Sequence, residues 1–257
     1  MPVNPDISLI LPAYNEARTI ASTMREAIDY FRGRGLRWEL IVAADGTDGT
    51  REAARQVSGE GGAVRVIGGE ERAGKGRGIR LGVELASGDI VGFADADNKV
   101  PITEFDKISE ALRAGGCDVV IGSRARSDSK IERRQPLYRR WGAQGFKVVM
   151  RSVVGLSAIS DTQCGFKFFR NAVAKELFSR QQIDGYMFDV EILVLASRLG
   201  YRIQEVPVRW RDDGDSRLNL VAGNLRNARD ILRIRFLHRR LRAGQVAPEP
   251  GATVRLR

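Results

Sequence analysis

Cysteine is nearly absent, with only Cys117 and Cys164 in 257 residues, which excludes a disulfide scaffold and a cysteine-based zinc site and points to a reducing cytosol. Histidine occurs once, as His238, so histidine-rich metal centres are excluded too; in its arginine-rich surroundings the residue reads as solvated. No stretch reaches the roughly 18 apolar residues of a spanning helix. The start, MPVNPDISLILPAYNE, has neither the basic leader nor the long apolar run of a signal peptide. No internal repeat is visible. What is present is 43% hydrophobic residues, enough for one large globular domain with a sizeable core.

Charge is divided unevenly. Residues 1 to 120 hold 15 Lys/Arg against 19 Asp/Glu, a net of −4, and residues 121 to 257 hold 27 against 13, a net of +14; together these make the overall +10. An acidic half suits a metal-assisted site. A basic half suits anionic partners such as phosphates, nucleic acid or an anionic membrane face.

Short apolar runs alternate with helical stretches in the first half, the signature of a parallel α/β sheet. Strands are expected at 7–13, 38–44, 63–68, 89–95 and 118–122, all buried on both faces, with helices near 16–31, 49–58, 75–87 and 103–114, the last capped by Thr103. The second half offers CGFKFF, an apolar helix around Phe188 to Leu199, a strand within YRIQEVPVRW and a helix from about Leu218 to Arg240. The expected organisation is a catalytic domain over 1–217, a basic C-terminal helix over 218–242 and a disordered tail over 243–257.

Ligands of open α/β sheets bind beyond the carboxyl ends of the strands, so those ends are where chemistry is sought. Gly69 to Lys75 has the spacing of a phosphate-cradling loop, but Gly76 stands where a Mg²⁺-binding Ser or Thr would be, leaving a flexible cationic turn with Lys75, Arg77 and Arg80. Asp95 and Asp97 follow the fourth apolar run; two carboxylates so placed can share a divalent cation that carries a diphosphate, and a solvated turn is the alternative. A second such pair, Asp213 and Asp215, ends no strand. Acidic groups in Pro12 to Glu16 and Ala44 to Thr50, and the guanidinium of Arg124, converge on the same rim, although each alone also reads as a cap or turn.

PAYNE, ADGTDGT, GKG, DADN and GSR, in this order, with DTQCGFKFF and FDVE downstream, resemble the family 2 glycosyltransferases of GT-A fold, and within them the dolichyl-phosphate β-glucosyltransferases and dolichyl-phosphate mannose synthases. The resemblance implies a Rossmann-like, mixed but mainly parallel sheet flanked by helices. It also implies a UDP-glucose or GDP-mannose donor, Mg²⁺ or Mn²⁺, inversion at the anomeric carbon and a polyprenyl-phosphate acceptor. Carried over, Pro12, Tyr14, Glu16 and Asp45 would form the nucleoside pocket, Lys75 would approach the diphosphate, and Asp95 and Asp97 would hold the metal. Asp97, Arg124, Arg211 and Asp161 are the catalytic candidates. Arg211 matches an arginine of the mannose synthases. Ala44 replaces the first acid of the usual DDGS, and Lys99 replaces a metal-binding amide.

Two basic segments bear on the lipid. Arg133, Arg134, Arg139 and Arg140 lie among Trp141, Phe146 and Met150, and Arg226 to Arg242 contains seven arginines and one acid. Such helices can lie in a bilayer interface or form a solvated face; the expectation is a cytoplasmic, peripheral protein on the anionic cytosolic face of a membrane. A soluble acceptor would need neither segment. Nucleic acid is not expected, because no zinc-finger or RNP-type motif accompanies the charge.

Overall fold

The computed structural model describes residues 4–58, 63–125, 153–211 and 220–241. Five parallel-type units open the chain: β1 (Ile7–Tyr14), α1 (Ile20–Gly33), β2 (Trp38–Asp45), α2 (Thr50–Ser58), β3 (Ala63–Ile67), α3 (Lys75–Leu85), β4 (Ile90–Ala94), α4 (Phe105–Arg113) and β5 (Val119–Ser123). There follow β6 (Phe166–Arg170), α5 (Asn171–Ser179), α6 (Phe188–Leu199), β7 (Ile203–Pro207) and α7 (Leu220–Leu237).

The seven strands form one sheet in the order β3-β2-β1-β4-β6-β5-β7. All pairings are parallel except those of β6, which runs antiparallel between β4 and β5. This insertion is the antiparallel element of the expected mixed, mainly parallel sheet, and it has a functional consequence. Reversal puts the start of β6 at the carboxyl ends of β4 and β5, with Ala94 opposite Phe166. Cys164 and Gly165 are thereby delivered to the rim.

Period-2 alternation sorts the strand side chains into two cores. Ile7, Leu9 and Leu11 join Phe166 and Phe168 under α1, α2 and α4. Ile10, Phe93 and Phe169 join α3, α5, α6 and α7 on the other face. Phe93, Phe166, Phe168 and Phe169 are essentially fully buried, each contributing about 2 kcal/mol or more. Gly92 makes room for them: a Cβ there would lie 2.0 Å from Cδ1 of Phe168. Cys117 and Cys164 are buried free thiols, and burial pushes Cys164 up to about 12.

Three expectations need correction. The third strand, β3, is an edge strand with exposed and half-buried residues rather than one buried on both faces. Thr103 does not cap α4: a 3-10 turn over Ile102–Glu104 precedes the helix, and the Thr103 hydroxyl accepts from Arg209 Nη2 at 2.8 Å. The glycine-rich 74–78 stretch is not a loop, since Lys75 already opens α3 and Gly76 is packed where a Cβ would meet Ile183 O at 2.6 Å. Arg133, Arg134, Arg139 and Arg140, the pair Asp213 and Asp215, and the 243–257 tail lie outside the described residues.

Candidate active site

Asp95 and Asp97 sit in the turn that follows β4. The Asp95 N–H donates to Gly165 O at 3.1 Å, and a Cβ on Gly165 would fall 2.1 Å from Asp95 Oδ2, so this close approach requires glycine. Asn98, with φ 54°, closes the turn; its N–H donates to Asp95 O, and its side-chain amide donates to Glu26 Oε2 at 2.6 Å. Burial, and then the charge of Asp95, push the Asp97 carboxyl above the ordinary carboxylate range despite the Lys99 ammonium 3.3 Å away. Among the described residues no cluster of three or more His, Cys, Asp or Glu is arranged to hold a metal. Two crowded carboxylates with hard oxygens nevertheless fit a divalent cation whose other ligands come from a diphosphate.

Cations surround this pair. Lys75 Nζ lies 2.6 Å from Asp95 Oδ1 and 5.7 Å from the centre of the Phe188 ring. Burial opposes its charge, but Asp95 and Asp189 outweigh burial and raise its pKa. Arg124, just past β5, is held by Asp161 through three bonds: its N–H and Nε donate to Oδ2 at 3.0 and 2.7 Å, and Nη2 donates to Oδ1 at 2.8 Å. Its guanidinium also stacks 4.7 Å over Trp210. Asp161 is 1% exposed, with its own N–H donated to Glu205 Oε1, so it faces Arg124 rather than open solvent. Arg211 reaches the same rim: its N–H donates to Lys99 O at 2.9 Å, and its half-exposed guanidinium lies 3.9 Å from Glu26. Glu104 anchors this edge, accepting from Arg209 Nε at 2.5 Å and Lys107 Nζ at 2.6 Å.

The nucleoside candidates occupy the neighbouring strand ends. Pro12 is buried within β1, opposite Ala43 of β2. Tyr14 ends β1 half-exposed under the Arg72 guanidinium, 4.4 Å from its ring centre. Asp45 ends β2 and accepts from Ala73 N at 2.8 Å and more weakly from Gly69 N, which ties it to the turn before α3. Glu16 accepts from the Thr19 hydroxyl at 3.0 Å. Gly46, with φ 112°, permits the close fit, since a Cβ would overlap Asn15 Oδ1 at 2.1 Å.

Two buried polar pairs stand behind the rim. Lys167, wholly buried in β6, donates to Asp189 Oδ1 at 2.6 Å and to Cys164 O at 2.7 Å. Glu191, wholly buried in the first turn of α6, meets His238 Nε2 at 2.8 Å. His238 is 4% exposed, which overturns its reading as a solvated residue. The signal was in the spacing: Ile231, Ile234 and His238 follow the i, i+3, i+7 rule, which puts the imidazole on the inward face.

A strand-end carboxylate pair with lysine and arginine beside it can meet a metal-bound diphosphate. The model of the family "Glycosyl transferase family 2" matches residues 8–178. The chain belongs to this family. Among relatives of this family 2 glycosyltransferase, a dolichyl-phosphate beta-glucosyltransferase of Trichomonas vaginalis is 31% identical, over 93% of this chain and 75% of that one. The dolichyl-phosphate beta-glucosyltransferase of Drosophila melanogaster is 33% identical, over 89% and 74% respectively. The fold is that of glucosyl-3-phosphoglycerate synthase from Mycobacterium tuberculosis, solved in complex with Mn²⁺, UDP-glucose and phosphoglyceric acid (TM-score 0.63, 22% identity, 90% of this chain and 78% of that one). The expected GT-A architecture, mixed and mainly parallel, is therefore the one present.

Proposed function

We propose that this family 2 glycosyltransferase moves glucose from UDP-glucose to a polyprenyl phosphate, with inversion at the anomeric carbon. The observation that carries the proposal is the Asp95 and Asp97 pair past the end of β4, with Lys75 on Asp95, Arg124 just past the end of β5 and the Arg211 N–H on Lys99 O, in a chain whose relatives are dolichyl-phosphate beta-glucosyltransferases. The relatives favour UDP-glucose over GDP-mannose, although Arg211 resembles a mannose-synthase residue.

The chemistry follows from charge. A phosphate monoester is largely ionised near neutral pH, so its oxygen attacks the anomeric carbon without a strong general base. One C–O bond forms to the lipid phosphate as the C–O bond to the nucleoside diphosphate breaks, and negative charge builds on the leaving group. Lys75, Arg124 and Arg211 neutralise that charge, with Arg124 aimed by Asp161 and Trp210. Asp95 and Asp97 would hold Mg²⁺ or Mn²⁺, which when bound supplies further neutralisation of the diphosphate. Tyr14, Glu16, Asp45 and Pro12 are assigned to the nucleoside side of the donor.

Access to a lipid is supported by α7. Leu232 and Phe236, one turn apart, are 54% and 59% exposed, and Arg229, Arg233, Arg239 and Arg240 lie near them in sequence. Apolar side chains amid arginines suit the headgroup boundary of an anionic bilayer. Among the described residues no helix is long and apolar enough to cross a membrane. The segment with Arg133, Arg134, Arg139 and Arg140 is assigned to the same cytosolic-face contact.

The test offers the purified chain UDP-glucose or GDP-mannose with Mn²⁺, and either polyprenyl phosphate in anionic liposomes or soluble phosphoglycerate. Label transferred from UDP-glucose to the lipid supports the reading. Transfer only to phosphoglycerate, or only from GDP-mannose, refutes the acceptor or the donor respectively.

A further inference from the structure

Five hydrogen bonds, joined by short stretches of backbone, run from the C-terminal helix to the first turn of α3, which opens with Lys75, the lysine that meets Asp95. His238, one residue past α7, meets Glu191 Oε1 through Nε2 at 2.8 Å. Glu191 also accepts the N–H groups of Gln182 at 3.0 Å and Ile183 at 2.8 Å, fixing the segment between α5 and α6. The next residue, Asp184, accepts through its backbone O from the N–H groups of Gly76 at 2.8 Å and Arg77 at 3.3 Å. These amides belong to the first turn of α3, whose first residue is Lys75. The fit is close, since a Cβ on Gly74 would stand 2.3 Å from Asp184 O. Two free amides at the start of α3 are thus taken by protein, which leaves the Lys75 side chain to meet a phosphate.

We infer that Glu191 is a positioning residue for Lys75, and that His238 sets Glu191 from the C-terminal helix. This rests on the reading of Lys75 as a donor-diphosphate ligand. Glu191 is wholly buried and touches no open part of the rim. Its carboxyl group joins the imidazole to two N–H groups of a separate segment, so losing the imidazole loosens the 182–184 segment and, through Asp184, the start of α3. The His238–Glu191 contact is thereby felt at the donor site.

The test uses the full chain and reads UDP affinity with Mn²⁺ by calorimetry, KM and kcat with UDP-glucose, and thermal stability. His238→Ala is expected to raise both the Kd for UDP and the donor KM by about five- to tenfold while kcat stays within about twofold. His238→Gln, whose amide can still donate, should recover most of the affinity. Ile231→Ala, which opens a cavity where the same helix meets the core, should lower stability with KM unchanged. Should His238→Ala fail to fold, Glu191→Gln is read the same way, with the same rise expected. Unchanged Kd and KM in His238→Ala, or a KM that simply tracks stability across all variants including Ile231→Ala, would overturn the inference. A parent chain that binds no UDP would instead overturn the donor-site reading, and this inference with it.

Discussion

Replacing Asp161 by Asn keeps the shape of the side chain and removes its charge from beneath Arg124. Hydrogen bonds to charged groups contribute about 1.5–3 kcal/mol, and stripping the partner from a buried charge costs about 3–5 kcal/mol. Asp161 is buried, but the Arg124 side chain is 24% exposed, so water recovers part of that cost. A loss of about 2–3 kcal/mol is expected, or roughly 5–10 °C in Tm for a chain of this size. Because Asp161 fixes both nitrogens of the guanidinium fork, kcat/KM should also fall at least about tenfold. Arg124→Ala alone and Arg124→Ala combined with Asp161→Asn complete a cycle. If Asp161 acts only through Arg124, the double variant turns over no more slowly than Arg124→Ala. Equal and multiplying losses would refute this, since Asp161 would then touch the substrate itself.

Asp97→Ala should abolish transfer and leave the melting temperature nearly unchanged, because the half-buried turn loses only a Lys99 contact; full activity in EDTA-treated buffer would end the metal assignment. Arg211→Ala should lower turnover about tenfold or more in steady-state assays, as loss of a charge-assisted contact of roughly 1.4 kcal/mol does. Phe236→Glu should reduce flotation with anionic liposomes while UDP binding persists, and the binding of the parent should weaken as salt rises. At Glu104, burial acts to raise the carboxyl, but bonds from Lys107 and Arg209 prevail and hold it low. Its contribution to stability is therefore complete above the unfolded value, about 4.3, and is lost as pH falls through the lower folded value. Glu104→Gln should flatten this acid limb in pH-dependent melts.

The parts of the site that ride on parallel strands were legible because apolar runs end abruptly in acids or arginine. Asp45, Asp95 and Arg124 stand within two residues of such ends. The reversal at β6 was not, since CGFKFF carries no mark of strand direction, and its effect on Gly165 and Asp95 appears only once β4 and β5 flank it. Lys167 is wholly buried in an apolar strand, and its partner Asp189 lies 22 positions on, in a helix packed against that face, so nothing adjacent in sequence marks the pair. Asp161 lies outside any regular element, so nothing local indicates that it grips Arg124. His238 differs for another reason: the density of arginines around it suggests solvent, whereas helical spacing with Ile231 and Ile234 turns it inward.

Direct transfer to a lipid phosphate is tested most directly by the anomeric configuration of the product. The chain, UDP-glucose, Mn²⁺ and a polyprenyl phosphate are incubated in anionic liposomes, and the glycolipid is extracted and read by proton NMR. The expected result is a β-glucosyl phosphate made from the α-linked donor, absent when Asp97→Ala replaces the parent. An α-linked product, or no lipid-linked glucose from a chain that binds UDP, would contradict a single displacement by the lipid phosphate at this rim.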